Sequence, residues 1–281
     1  MNNKNYYIMG LPAACKTTYL AALWYCLTNS VNSGLKIKEF IGDQTYLSDI
    51  SSKWAEVEEI PRTKPEFEQK KITLLLENST QDLMEISFPD LSGESFQAQY
   101  AEREVNQETV DYVRECDGLL LFINPENATE PNFIAEIPDI FRNNETIEEE
   151  LPVRNALEDP TQVQLVELLQ FVKYMRYDRP IKLGVIISAW DKVEEGIPEL
   201  KNEPKSFIKR KLPLLWQYLE SNLYYFKVVY YGISAQGGEL TQNEILLNKN
   251  NPCERIIVVD EQGHRSNDIT LPLSKMVSEN D

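Results

Sequence analysis

The chain has 281 residues, with 45 Asp and Glu against 28 Lys and Arg, for a formal net charge of −17. So acidic a surface repels phosphate backbones and anionic lipids, which argues against nucleic-acid and membrane-surface partners and favours a basic or Arg-bearing one. The single histidine, His264, nearly excludes histidine-based zinc sites and Ser-His-Asp chemistry.

The chain is organised around residues 6–27. Tyr6, Tyr7, Ile8 and Met9 form a short apolar run, Gly10 turns it, and Lys16-Thr17-Thr18 open a helical pattern carrying Leu20, Leu23, Trp24 and Leu27. Strand, loop and helix with Lys-Thr at the helix start match GxxxxGK[ST], the phosphate loop or Walker A motif, except that Cys15 replaces the second glycine. A helix N-terminus leaves backbone N–H groups unpaired and carries partial positive charge, and a tight loop at Ala13, Ala14 and Cys15 folds more of them around one anion. Lys16 would reach the β- and γ-phosphates, and Thr17 would place its hydroxyl on Mg²⁺. The plainer reading is a strand–turn–helix with an accidental Lys-Thr. A Cβ and sulfur at position 15 would crowd the phosphate, so weakened affinity is expected. The thiol, beside a lysine and a helix start, would also tend toward thiolate, and a reactive cysteine is the alternative.

Leu35, Ile37 and Phe40 alternate as in a short strand, and Asp43 caps a helix with Tyr46, Leu47, Ile50 and Trp54 on one face. Pro61-Arg62-Thr63-Lys64-Pro65 breaks it. The stretches 67–77 and 83–88 then read as an antiparallel hairpin. The second strand ends in Asp90-Leu91-Ser92-Gly93-Glu94, a DxxG sequence. Its aspartate can hold Mg²⁺ through water and its glycine N–H can meet a γ-phosphate, although DxxG alone is also an ordinary turn.

Residues 97–115 read as helical, and 117–123 (DGLLLFI) as a buried parallel strand. Residues 124–160 are acidic and Pro-rich, an insertion or long loop. A helix over 161–175 precedes a second buried strand, 181–188, which runs into Ala189-Trp190-Asp191-Lys192. A carboxylate there can accept from guanine N1–H and the 2-amino group, a donor pair that adenine lacks. A helix cap is the plainer reading of Asp191. Residues 204–225 read as helical with Pro213 as a boundary. Residues 228–233 form a last core strand before Ser234-Ala235-Gln236-Gly237-Gly238, and residues 251–281 are a C-terminal extension with one strand-like run at 256–259. The four cysteines, Cys15, Cys26, Cys116 and Cys253, show no metal-ligand spacing. With no signal peptide and no membrane-length apolar run, the expectation is a reduced, cytoplasmic protein.

Phosphate loop, Thr63 loop, DxxG, apolar strand, strand–AWD and strand–SAQ, in that order, resemble the Ras-like superfamily of P-loop GTPases. GLPAACKTTYLAALW and DLSGE are similar to the bacterial double-GTPase families, small GTPases of predicted conflict or anti-phage defence systems. The resemblance implies one GTPase domain over 1–281: an α/β fold with a mostly parallel six-stranded sheet and helices on both faces. It implies GTP or GDP with Mg²⁺ as ligands, and a co-encoded second GTPase and a GTPase-associated effector protein as partners.

Carried onto this chain, the resemblance implies that Gly10, Ala13, Ala14, Cys15, Lys16, Thr17 and Thr18 cradle phosphate. Thr63 closes over Mg²⁺, with Thr45 and Thr80 as alternatives, and Asp90 and Gly93 form the second switch. Glu94 stands where many members orient the attacking water. Arg62, or an arginine from a partner, would stabilise the transferred phosphoryl. Asp191 reads guanine, and Ser234 and Ala235 support its O6 edge. Ser188 and Ala189 depart from the family's Asn-Lys, and Trp190 or Lys192 would have to compensate. Two competitors remain beside a slow GTP-hydrolysing switch: a pseudo-GTPase scaffold, favoured by Cys15, Ser188 and Ala189, and a P-loop ATPase or small-molecule kinase.

Overall fold

The computed structural model describes residues 3–29, 34–61, 72–89, 92–131, 155–177 and 179–278. Strands β1 (Asn3–Met9), β2 (Leu35–Ile41), β3 (Ile72–Asn78), β4 (Leu83–Phe88), β5 (Gly118–Ile123), β6 (Ile181–Ile187), β7 (Phe226–Ser234), β8 (Ile257–Asp260) and β9 (Arg265–Ser266) form one sheet in the order β2-β3-β4-β1-β5-β6-β7-β8-β9. The expected six-stranded sheet is thereby corrected to a nine-stranded mixed one among the described residues. β4, β1, β5, β6 and β7 run parallel. The antiparallel pairs β2–β3 and β3–β4 extend one side, and β7–β8 and β8–β9 the other. Of these flanking strands only β9 has no sequence signal, being 2 residues long; β2, β3 and β8 match the strand-like runs read from the sequence and extend the sheet beyond the expected six.

The parallel strands read as unbroken apolar runs because both their faces are covered. Tyr6 and Ile8 of β1 and Leu120 and Phe122 of β5 point to one core, with α1 (Lys16–Thr28), α2 (Gln44–Ala55) and α10 (Leu271–Ser278). Tyr7, Met9, Leu119, Leu121 and Ile123 point to the other. That second core is closed by α3 (Glu94–Glu102), α4 (Gln107–Glu115), α5 (Thr161–Met175), α6 (Trp190–Gly196), α7 (Pro204–Lys211) and α8 (Pro213–Ser221). The short α9 (Asn243–Leu247) lies between β7 and β8 in the chain.

Local signals behave as their chemistry dictates. Asp43 accepts from Tyr46 N at 3.0 Å and caps α2. Pro213 opens α8 after Leu212, whose backbone leaves the helical region at φ -128 and ψ 59, dividing it from α7. The stretch 97–115 is two helices rather than one, parted at Arg103, which takes left-handed geometry at φ 59. Thr161 N donates to Thr129 O at 3.0 Å and Thr129 N to Thr161 Oγ1 at 2.8 Å. The chain therefore returns at residue 161 to the place it left at 129.

The C-terminal segment is built into the first core. Tyr6 and Tyr19 donate their hydroxyls to Met276 O and Ile269 O. Cys26 of α1 and Cys253 are joined by a disulfide, with Cα atoms 6.4 Å apart, which corrects the expectation that all four cysteines are thiols. A separation of 227 residues leaves no spacing signal for that pairing. Among the described residues, no helix is long and apolar enough to cross a membrane.

Candidate functional site

The carboxyl ends of the parallel strands gather β1's exit at Gly10, β4's toward Ser92-Gly93, β5's at Asn124, β6's at Ser188 and β7's at Ala235. Ligands in open α/β sheets sit at this end. Gly10 is required by close approach: a Cβ there would lie 2.8 Å from Phe122 O of β5. Beyond it Ala13 and Cys15 both adopt left-handed geometry, at φ 57 and φ 60. That conformation costs an L-residue roughly 1–2 kcal/mol, and it is the left-handed half of the αR-αL successions from which anion nests are built. α1 then starts at Lys16, with no side chain capping its first amides among the described residues.

Lys16 is only 2% exposed, and its ammonium donates to Gly10 O at 2.7 Å and Leu11 O at 3.0 Å. Gly93, at φ 84, packs directly on this arrangement: a Cβ there would lie 2.6 Å from both Lys16 Nζ and Gly10 O. A cavity of about 250 Å³ covers the loop, lined by residues 12–18 together with Ile60, Pro61, Ser92 and Glu94. It thus brings together Ala13, Ala14, Cys15, Lys16, Thr17, Thr18 and Glu94.

A second cavity, of about 360 Å³, adjoins it through Cys15, Thr18 and Ile60. Ser188, Ala189, Asp191 and Lys192 line one side, and Ser234, Ala235 and Gln236 another. Burial pushes the Asp191 carboxyl above the usual aspartate range, and a hydrogen bond with the Ser234 hydroxyl works against that shift. Ser234 Oγ in turn accepts from Gly237 N at 2.8 Å, so one hydroxyl ties the carboxylate to the loop after β7. Lys192 pairs with Glu239 across the cavity and with Glu195 at 3.5 Å.

Several expectations are corrected. Trp190 is fully buried, donates its indole N–H to Lys201 O at 2.9 Å and packs on Phe207 and Gly232, so it faces the second core and lends no ring to this cavity. Burial pushes the Cys15 thiol up, outweighing Lys16, so it is no thiolate. Thr80 is engaged in the β3–β4 turn with Asn78 and Asp82, at the amino end of β4, opposite the cavities. Thr45 lies in the first turn of α2. Arg62, Thr63 and Asp90 lie outside the described residues.

Two features escaped sequence reading. Asn124 Nδ2 donates to Ala13 O at 2.9 Å and reaches Cys15 Sγ at 3.6 Å. The end of α2 delivers Glu58, Glu59 and Ile60 to the second cavity. A signal for the first was present in an asparagine immediately after a buried strand.

The sequence pattern of the Double-GTPase 1 family matches residues 7–276. The chain belongs to the Double-GTPase 1 family. Membership makes it a GTP-binding protein. None of the curated proteins matches the chain. Among solved structures, Sup35 complexed with GDP is 12% identical, with a TM-score of 0.36, over 85% of this chain and 38% of that one. The S. cerevisiae Ski7 GTPase-like domain, bound to GDP and inorganic phosphate, is 13% identical, with a TM-score of 0.39, over 83% and 43%. The small COPII coat GTPase SAR1 from Encephalitozoon cuniculi, with GDP, is 13% identical, with a TM-score of 0.29, over 90% and 75%. The chain spans less than half the length of the Sup35 and Ski7 chains it matches.

Proposed function

We propose that this chain is a GTP-binding switch that hydrolyses GTP slowly to GDP and phosphate. The observation that carries the reading is the junction of the two cavities over Cys15 and Thr18, with Lys16 and the start of α1 at one end and the Asp191 carboxylate at the other. A nucleotide laid along them would place its phosphates on the amides of residues 13–18 and its base against Asp191. Asp191 and Ser234 would select guanine, and the backbone at Ala235 would meet its O6 edge. Mg²⁺ fits the donor set: Thr17 supplies a neutral hydroxyl oxygen to the phosphate cavity, and magnesium takes few protein ligands beside phosphate and water. Asp90 and Thr63 would complete the protein's share. When bound, the ion would offset charge on the phosphates.

In the reaction a water oxygen bonds to the γ-phosphorus as the bond to the β–γ bridging oxygen breaks, giving GDP and inorganic phosphate. The chain's own contribution is positional and electrostatic: Lys16 and loop amides toward the developing charge, and Glu94, on the rim of the phosphate cavity, toward the water. Turnover is slow because the described residues lining that cavity include no arginine. Arg62 or a partner's arginine would supply it. A role in anti-phage defence beside a co-encoded second GTPase and an effector protein belongs to the same proposal, resting only on the resemblance of the motifs GLPAACKTTYLAALW and DLSGE to the bacterial double-GTPase families.

Titration of the purified protein with GTP, GDP and ATP, with and without Mg²⁺, tests the reading. Preferential, Mg²⁺-strengthened GTP binding with slow phosphate release is expected. Equal or tighter ATP binding would overturn it. A pseudo-GTPase is the second reading, favoured by a side chain at left-handed Cys15 and by the bonds of Lys16 to its own loop's carbonyls. Binding without turnover would support that reading.

A further inference from the structure

We infer that Asn124 is the positioning residue that holds the phosphate loop in its anion-binding shape. This rests on the nucleotide reading above. Two non-glycine residues of the loop, Ala13 and Cys15, sit in a conformation that L-residues leave readily. Something outside the loop must hold them there, and the contacts identify it. Asn124 Nδ2 donates to Ala13 O at 2.9 Å and lies 3.6 Å from Cys15 Sγ, so one carboxamide touches both strained positions. Asn127 Nδ2 adds a longer bond, 3.4 Å, to the same Ala13 carbonyl.

The carboxamide is itself fixed. Its Oδ1 accepts from Glu126 N at 3.0 Å, capping the short 3-10 turn Pro125–Asn127 that leaves β5. β5 pairs directly with β1, the strand that feeds the loop. Asn124 thus couples two adjacent strand ends by a bond spanning 111 residues of sequence. Ser188, at the end of the next strand, spends its hydroxyl on Ile123 O at 3.1 Å and also meets the Cys15 thiol. It therefore supports Asn124's strand rather than Ala13. With Ala13 O drawn toward β5, the amides that follow it face the phosphate cavity, and Cys15 is kept from swinging its Cβ into that space.

Asn124→Ser tests this, because a serine hydroxyl still caps Glu126 N but cannot reach Ala13 O. The Asn124→Ser/Asn127→Ser double variant removes both donors. The first readout needs no nucleotide: the rate at which iodoacetamide alkylates Cys15, followed by mass at a fixed pH. We expect it to rise about fivefold or more in Asn124→Ser and further in the double variant, with a thermal midpoint within about 2 °C of the parent. The second readout is affinity for GDP against GMP. Asn124→Ser should weaken GDP about tenfold and GMP much less, because the loop serves the β-phosphate, and Cys15→Gly in the same chain should restore most of the loss. Unchanged alkylation overturns the inference, as does equal loss of GDP and GMP. Faster alkylation in a chain that binds no guanine nucleotide sinks the proposed function and leaves the clamp standing.

Discussion

The indole N–H of Trp54, near the end of α2, donates to the carbonyl oxygen of Ala235 at 3.0 Å. That bond joins the segment delivering Glu58, Glu59 and Ile60 to the loop after β7 that lines the same cavity. Arg255 consolidates the joint. Its guanidinium stacks 4.3 Å over the Trp54 ring and donates to Ala55 O at 3.1 Å and to Trp54 O, at the negative end of α2. Burial pulls its pKa down to about 10, so it stays charged at neutral pH.

Replacing Trp54 by Phe should expose how much the joint matters. Phenylalanine keeps most of the apolar packing but leaves Ala235 O buried and unpaired, a loss of about 1–3 kcal/mol. Urea unfolding should show that decrease, and GDP affinity should fall several-fold as the loop loosens. Lower stability with unchanged affinity would mean that the bond holds the core and not the loop after β7.

Cys15→Gly should act in the opposite direction. Glycine takes left-handed geometry without the Cβ penalty, so unfolding free energy should rise by about 1 kcal/mol. GDP and GTP should bind more tightly by calorimetry, because the thiol leaves the wall shared by the two cavities. Weaker binding would show that the sulfur contributes a contact of its own.

The residues that sequence displays best are those whose partners are close in the chain. The phosphate loop is legible because strand, turn and helix start lie within a few residues of each other. Asp191 and Ser234 are legible because each follows an apolar strand. Asn124 also follows an apolar strand, but it opens a Pro-rich acidic stretch and its partner lies 111 positions away, so that signal is masked. Trp190 misleads because α6 has only 7 residues, too few to reveal which face is buried. Cys26 and Cys253 meet only because α1 packs on the chain between β7 and β8.

Asp191 sets a pH dependence with two opposite signs. Its carboxyl, raised by burial, binds a proton in the folded state at pH values where the unfolded chain's aspartate has lost it. Nucleotide-free stability should therefore rise as pH falls through that raised value. In the proposed reading the ionised carboxylate accepts from guanine, so GDP affinity should fall over the same interval, above the usual aspartate range. Asp191→Asn should abolish both effects and, by offering an amide donor, shift preference from guanosine to xanthosine diphosphate. A GDP affinity that stays flat until the ordinary aspartate range would remove Asp191 from base recognition.

The Cys26–Cys253 disulfide ties α1, which carries Lys16 at its start, to the turn Pro252–Arg255 beside the loop after β7. Gly237 lies so close to that turn that a Cβ would be 2.0 Å from Arg255 O. A dithiol reductant would take up the oxidising equivalent, becoming a disulfide itself while both cysteines become thiols. Closing so long a loop restricts the unfolded chain, so reduction should cost about 2–4 kcal/mol and lower the melting temperature by about 5–10 °C. Because the turn supports Gly237 and Arg255 holds Trp54, GDP affinity should fall along with it. A chain with both cysteines replaced by serine should start at the lower temperature and ignore the reductant. If the native chain's mass does not increase by the two hydrogens on reduction, or its melting is insensitive to reductant, the bond contributes nothing to the folded state in solution.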